Sequence, residues 1–462
     1  MLPIFLLTCL SIPALHQAPF VDAQTSPPFS SSRAGASESH FGRRFATIGD
    51  VDGDGVYDHA IGDCSPGSER RESGRVWIFS GKAGTLLGVL EGAGAPDSDR
   101  IQGPPTRTFQ PSLTYAPAAF GAAFAIAGDV DADGYTDFLV SAWAGAIDED
   151  RSPHWRHGYV RLYSGRELRL LREIPSDADS DGFGSALDAA DVDGDGVLDW
   201  IIGAPGTSTG GEADRSNGRV LIHGGKDGRL LSVVRSDSPR SDGFGHSVCA
   251  VTDMDADGRP DLAIGAPWEA PPDADADADG CVYLASSRGG RILRVLRSEQ
   301  RRCETGARFG WTLTRTSDQS GDGVPDFLVG CLHSSTRAYS GKGAALLCDY
   351  EHYLEPQLPW GAANSMCALS DLDRDGVPEV AVGSEDPSDL ERRRSVTVFS
   401  GRTGSVLHVI DAGRSFANVA NGGDVDGDGL DDLLVGLWQE DRVVVYSGAT
   451  WFPIRELRRH KR

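Results

Sequence analysis

"GDVDGDGLDDLLVG", residues Gly423 to Gly436, sets Asp424, Asp426 and Asp428 on alternate positions, follows them with Gly429 and Asp432, and then turns apolar. The same nine-residue pattern begins at Asp50 (DVDGDGVYD), Asp129 (DVDADGYTD), Asp191 (DVDGDGVLD) and Asp253 (DMDADGRPD). Looser copies begin at Asp318 (DQSGDGVPD) and Asp371 (DLDRDGVPE). Seven copies with starts 53 to 79 residues apart mark one supersecondary unit used repeatedly.

The flanks repeat as well. Eight to eleven residues upstream of each copy stands an aromatic residue followed by a small one: Phe41-Gly42, Phe120-Gly121, Phe183-Gly184, Phe244-Gly245, Phe309-Gly310, Trp360-Gly361 and Phe416-Ala417. Downstream comes a short apolar run such as "IIGAP" at Ile201. An alternating segment ending in Ser-Gly follows, as in "VWIFSG" at Val76 and "VVVYSG" at Val443. A Leu-rich piece such as "GTLLGVL" at Gly84 closes the unit. Each unit therefore offers four short strands, the third marked by its period of two. The 58 glycines oppose a helical fold, since each weakens a helix interior by about 1 kcal/mol against alanine. The expectation is an all-β, seven-bladed β-propeller of four-stranded blades, with a calcium loop between strands 1 and 2 of each blade. A linear solenoid is the competitor, disfavoured because no unit looks like a polar end cap.

In order and linkage, "FG", "DxDxDGxxD", "GAP" and "YSG" resemble the FG-GAP repeats of the integrin α-subunit N-terminal propeller and its bacterial secreted relatives. The resemblance runs from about Phe41 to Leu457. The chain departs from it where GAP becomes "SAW" at Ser141, "GCL" at Gly330 and "GSE" at Gly383. In that family only some blades carry calcium, whereas here every blade has a version of the loop.

Calcium takes six to eight oxygens at about 2.3–2.6 Å, and a nine-residue loop can supply most of them. Acids at positions 1, 3 and 5, the carbonyl of position 7 and an acid at position 9 form the expected ligand set. These are Asp50, Asp52, Asp54, Val56 and Asp58; Asp129, Asp131, Asp133, Tyr135 and Asp137; Asp191, Asp193, Asp195, Val197 and Asp199; and Asp253, Asp255, Asp257, Arg259 and Asp261. The remaining loops offer Asp318, Ser320, Asp322, Val324 and Asp326; Asp371, Asp373, Asp375, Val377 and Glu379; and Asp424, Asp426, Asp428, Leu430 and Asp432. Up to seven Ca²⁺ are expected, the Asp318 site being weakest because Ser320 replaces a carboxylate. Glycine at position 6 suits a chain reversal that needs positive φ. An EF-hand keeps its bidentate acid at position 12 between helices, so a helix-opening switch is not expected. Hairpin turns alone would explain the Asp-Gly pairs but not the acid at position 9. Extracellular modules bind calcium with Kd of about 0.1–1 mM, so millimolar calcium would stabilise the fold by about 0.4–1.4 kcal/mol per site.

A net charge of −24 argues against nucleic acid and anionic membrane surfaces as partners. The N-terminal apolar stretch is too short to span a bilayer and reads as a secretory signal over 1–23, although it carries no Lys or Arg before that stretch. A linker over 24–40, a propeller over 41–458 and a basic tail over 459–462 follow. The blades are expected near 41–92, 120–175, 183–238, 244–299, 309–352, 360–411 and 416–458. No later run is long enough for a membrane span. Seven cysteines lie beyond the signal, an odd number without CxxC spacing, so neither a disulfide scaffold nor a zinc site is indicated.

Two further stretches resemble the loops but fail at position 9: "PPDADADADGC" would place Tyr283 there, and "DADSDG" at Asp177 would place Ser185. The first reads as an acidic loop, the second as the turn into its Phe-Gly strand. "AIDEDRSPHWRHG", from Ala146 to Gly158, gathers Asp148, His154 and His157, from which an acid–base pair could be assembled. The leading expectation is a secreted or cell-surface, calcium-stabilised scaffold that binds an extracellular protein or glycan. Its contact face would be opposite the acidic loops, in the loops 62–75, 93–119, 141–159, 203–219 and 265–281. A glycan hydrolase or lyase on the same propeller is the alternative, and no catalytic residue is assigned.

Overall fold

The structure, a computed structural model, describes residues 40–63, 74–92, 119–143, 158–177, 181–206, 218–236, 238, 243–269, 279–298, 308–332, 335–350, 363–384, 394–413 and 417–459. The proposed signal, most of the proposed linker and the loop holding His154 fall outside them. The unit from Ser37 to Arg462 is a seven-bladed β-propeller. Each blade is a four-stranded antiparallel sheet whose strands lie side by side in chain order. Blade 7 shows the pattern: Ala417–Gly423, Asp432–Leu437, Arg442–Tyr446 and Pro453–Arg458. The seven first strands begin at Arg44, Ala119, Ala186, Ser247, Phe309, Ala363 and Ala417, and each meets the first strand of the next blade. Among the described residues no helix is long and apolar enough to cross a membrane.

The second strand of a blade is buried on both faces, so its alternate side chains feed opposite interfaces. In blade 1, Ala60 packs toward blade 2 and Ile61 toward blade 7; in blade 3, Ile201 packs toward blade 4 and Ile202 toward blade 2. The apolar core is accordingly divided into seven clusters, one between each pair of neighbouring blades. The phenylalanine of each described Phe-Gly pair enters the cluster shared with the preceding blade: Phe41, Phe120, Phe183, Phe244 and Phe309 are all at most 1% exposed.

The spatial link between the "FG" and "GAP" motifs lies at these interfaces. A Cβ on Gly62, Gly203, Gly265 or Gly436 would run into the carbonyl oxygen of Gly121, Gly245, Gly310 or Gly42, the Phe-Gly glycine of the next blade. Those four glycines hold φ of 82–92°, a conformation that only glycine adopts at little cost. Blade 2 replaces the inner glycine with Ser141, whose hydroxyl accepts the Ala123 N–H at 3.0 Å.

The ring closes by the same contact, Gly436 on Gly42, and among the described residues without strand exchange, since blades 1 and 7 each use four consecutive strands. At this seam Thr47 Oγ1 donates to the Asn421 carbonyl at 2.6 Å and Asn418 Nδ2 to the Arg43 carbonyl at 2.6 Å. Arg455 reaches the carbonyls of Gly81 and Lys82. Both edges of the chain meet Asp63: the His40 N–H donates to Oδ1 at 2.9 Å and Arg459 Nη1 pairs with Oδ2 at 2.9 Å. Arg459, expected in a solvated tail, is therefore tied down.

Candidate metal centres

All seven acidic loops join a first strand to a second strand, so they share one end of the propeller. Local hydrogen bonds build each loop in the same way. Position 1 accepts the N–H of the position-6 glycine at 2.7–3.0 Å in all seven loops. The position-5 acid accepts the position-7 N–H at 2.9–3.0 Å. The position-9 acid accepts the position-2 N–H at 2.5–2.9 Å. The position-6 glycine holds φ of 84–90° throughout.

The acid at position 9 is the first or preceding residue of the second strand and is fully buried, from 0% exposed at Asp58 to 2% at Asp326. In five of the seven blades its second oxygen ties the loop to the third-to-fourth-strand turn of its own blade. Asp58, Asp137, Asp199, Asp326 and Asp432 accept the N–H of Gly81, Gly165, Gly225, Gly341 and Gly448 at 2.8–3.0 Å. The glycine of "Ser-Gly" is needed there because a Cβ on Gly81 would run into the Tyr57 carbonyl oxygen, and the turn glycines of blades 2, 3, 5, 6 and 7 are equally crowded. Burial pushes the carboxyls of Asp58, Asp261 and Asp432 up to about 6 and that of Glu379 up to about 7. Asp137 and Asp199 are raised for the same reason.

Positions 1, 3 and 9 converge. In the loops starting at Asp50, Asp129, Asp191, Asp253 and Asp371, one carboxylate oxygen from each lies within 4.8 Å of the others. The residues fit a hard divalent cation, because several of these oxygens are buried with nothing to bond. Asp131 Oδ1, Asp255 Oδ1 and Glu379 Oε1 have no hydrogen-bond partner. Leaving such oxygens dry and unpaired costs about 1–3 kcal/mol each, more when charged, which oxygen-coordinated Ca²⁺ would relieve. In the fifth loop the Ser320 hydroxyl donates to Asp318 Oδ1 at 3.1 Å, so that side chain bonds a neighbouring ligand instead of adding a carboxylate.

Basic side chains on the adjoining turns are the part that the loop pattern alone did not reveal. Arg169, Arg229 and Arg291 pair with Oδ2 of the position-3 acids Asp131, Asp193 and Asp255 at 3.2, 3.2 and 3.0 Å. Lys82 Nζ donates to the Asp54 carbonyl at 3.0 Å, and Arg402 meets Asp375 Oδ2 at 3.3 Å. A signal was present, since each of the first three arginines stands four residues after the second residue of its turn pair: "SGRELR", "GGKDGR" and "SSRGGR". Asp177 and Asp181, read only as a turn, are engaged by the buried Arg219. Among the described residues Cys249, Cys281, Cys331, Cys348 and Cys367 are free thiols.

The family profile described as FG-GAP repeat matches residues 183–223 and 244–284, in blades 3 and 4. Integrin alpha-5 of Xenopus laevis is 26% identical over 245 residues, 51% of this chain and 22% of that protein. Integrin alpha-7 of Homo sapiens is 29% identical over 220 residues, 45% of this chain and 18% of that protein. Integrin alpha-4 of Xenopus laevis is 29% identical over 185 residues, 38% and 17% respectively. The matches thus span about a fifth of the length of these curated relatives.

Proposed function

From a chain that carries FG-GAP repeats on a seven-bladed propeller, like the integrin alpha N-terminal domain, we infer a calcium-stapled scaffold that binds a protein or glycan outside the cell. The observation that carries the calcium reading is the repeated convergence of three carboxylates around buried, unpartnered oxygens at one end of the ring. Each loop would hold the ion with its acids at positions 1, 3, 5 and 9 and the carbonyl of position 7. The chemistry is charge neutralisation: a divalent ion offsets up to four crowded carboxylates and locks the first hairpin of the blade onto the turn of its outer strands. Up to seven ions would bind, that at Asp318 most weakly. Equilibrium dialysis against radioactive calcium tests the count, and a protein that takes up no calcium at millimolar concentration refutes the reading.

The contact surface in this reading is the opposite end, where the second-to-third-strand loops and the blade-to-blade connections gather. Segments 64–73, 93–118, 144–157, 207–217 and 270–278, which supply most of it, lie outside the described residues. Support comes from the integrin alpha relatives and from the division of labour it allows, with one end committed to metal and the other free. Screening protein and glycan arrays in millimolar calcium and again in chelator tests it: a ligand held only in calcium is expected, and no ligand in either condition counts against it. Localisation at the cell surface or in the medium follows from the same reading and is checked by fractionation of expressing cells.

A further inference from the structure

The arginines on the acidic end set the loops of blades 2, 3 and 4 apart from that of blade 7. In blades 2, 3 and 4 the position-3 carboxylate turns one oxygen outward to a guanidinium of its own blade: Asp131 to Arg169, Asp193 to Arg229 and Asp255 to Arg291. The inner oxygens of Asp131 and Asp255 remain buried and unpartnered. Blade 7 lacks such a side chain. The residue at the equivalent place in its turn is Phe452, 72% exposed, and among the described residues no ion pair reaches Asp424, Asp426, Asp428 or Asp432.

We propose that Arg169, Arg229 and Arg291 are built-in counter-ions that partly do the cation's work, so that the loops of blades 2–4 bind calcium more weakly than the loop of blade 7 and depend on it less. This rests on the calcium reading above. The physical basis is linkage. Each arginine stabilises an empty loop carrying four like charges, whereas in a filled loop it faces a site whose net charge the divalent cation has halved, and it stands beside that cation. A group that favours the empty state must lower the affinity of the filling ion by the same factor. The guanidiniums are 54–68% exposed, so screening limits the effect to that of a surface ion pair, about two- to fivefold in affinity per loop.

The test uses the full chain and two opposite changes. The triple variant R169Q, R229Q and R291Q is titrated with calcium by calorimetry, and its melting is followed in chelator and in millimolar calcium. Affinity at three sites is expected to rise about two- to fivefold. The melting temperature should fall more in chelator than in calcium. Phe452→Arg, at an exposed position that tolerates change, should do the reverse: a higher melting temperature in chelator and one weakened site. Unchanged or lower affinity in the triple variant overturns the proposal, because it makes the arginines spectators or orienting partners of the ligand. If the unaltered chain takes up no calcium, the calcium reading fails by itself. The chelator melts then still decide whether the arginines hold the empty loops.

Discussion

The backbone of Gly436 in blade 7 lies against the carbonyl oxygen of Gly42 in blade 1, with no space between them for a methyl group. The same fit recurs at Gly62 on Gly121, Gly203 on Gly245 and Gly265 on Gly310, so the first and last blades join by the contact used inside the ring. Gly436→Ala is therefore expected to wedge the seam apart and cost about 1–3 kcal/mol, the range for overpacking a tight site. Gly55→Ala is the control: its φ of 88° makes alanine strained, but nothing stands within 4 Å. It should cost about 1–2 kcal/mol and leave blade packing intact. Urea unfolding of both variants checks this, and equal packing damage by near-ultraviolet dichroism would contradict it.

Asp58 fastens three backbone N–H groups, those of Val51, Asp52 and Gly81, from a fully buried position. Asp58→Ala should cost more than Asp54→Ala, by about 1–3 kcal/mol, because it strands buried donors. The ordering should persist in chelator. If the two variants differ only in calcium, the acid serves the ion alone and the role of the hydrogen bonds is refuted.

The stabilisation given by calcium is expected to shrink as pH falls from 7 to 5. Asp58, Asp261 and Asp432 titrate near 6 and Glu379 near 7 in the metal-free fold, above their ordinary range. A raised carboxyl contributes stability that is complete below about pH 4 and is lost as pH rises through 6. The metal-free protein thus gains from these groups on acidification. The calcium form must give up its ions to bind the same protons. The measured quantity is the difference in melting temperature with and without calcium. A difference that stays constant from pH 7 to 5 would exclude these acids as ligands.

Cys249, Cys281, Cys331 and Cys367 are buried, and burial raises all four thiols, that of Cys331 to about 12. They should resist alkylation in the native protein and react fully in denaturant. Mass spectrometry after a short iodoacetamide pulse reads this residue by residue; native labelling at Cys331 would be the contrary result.

The seven-fold unit, its four strands and its acidic loop were readable because each leaves a local mark: alternation in "VVVYSG", the Asp spacing, glycine at position 6. What joins the units was not readable, because it is a relation between residues some 40 to 60 positions apart or nearly the whole chain apart. The reason Gly203 is glycine is the carbonyl of Gly245, and the reason Gly436 is glycine is Gly42 at the far end of the sequence. The acids were legible as a set, while their division of labour was not. Burial separates Asp58 from Asp54, and the orientation of Arg229 toward Asp193 depends on how one hairpin leans on another. Asp188 illustrates the same limit. Within "ALDAA" it looks like a stray polar residue, yet it takes the Ala250 N–H at 2.7 Å and pairs with Arg315 at 3.0 Å, two blades away.

Asp63 has a mechanical consequence. Because His40 and Arg459 both bond its carboxylate, a force pulling the two ends of the propeller apart would load one seam first, and the other six blade interfaces would bear it only later. Among the described residues that seam holds no covalent link and no exchanged strand, so the ring should yield there like a snap fastener: reversibly, at one place, with the blades still folded.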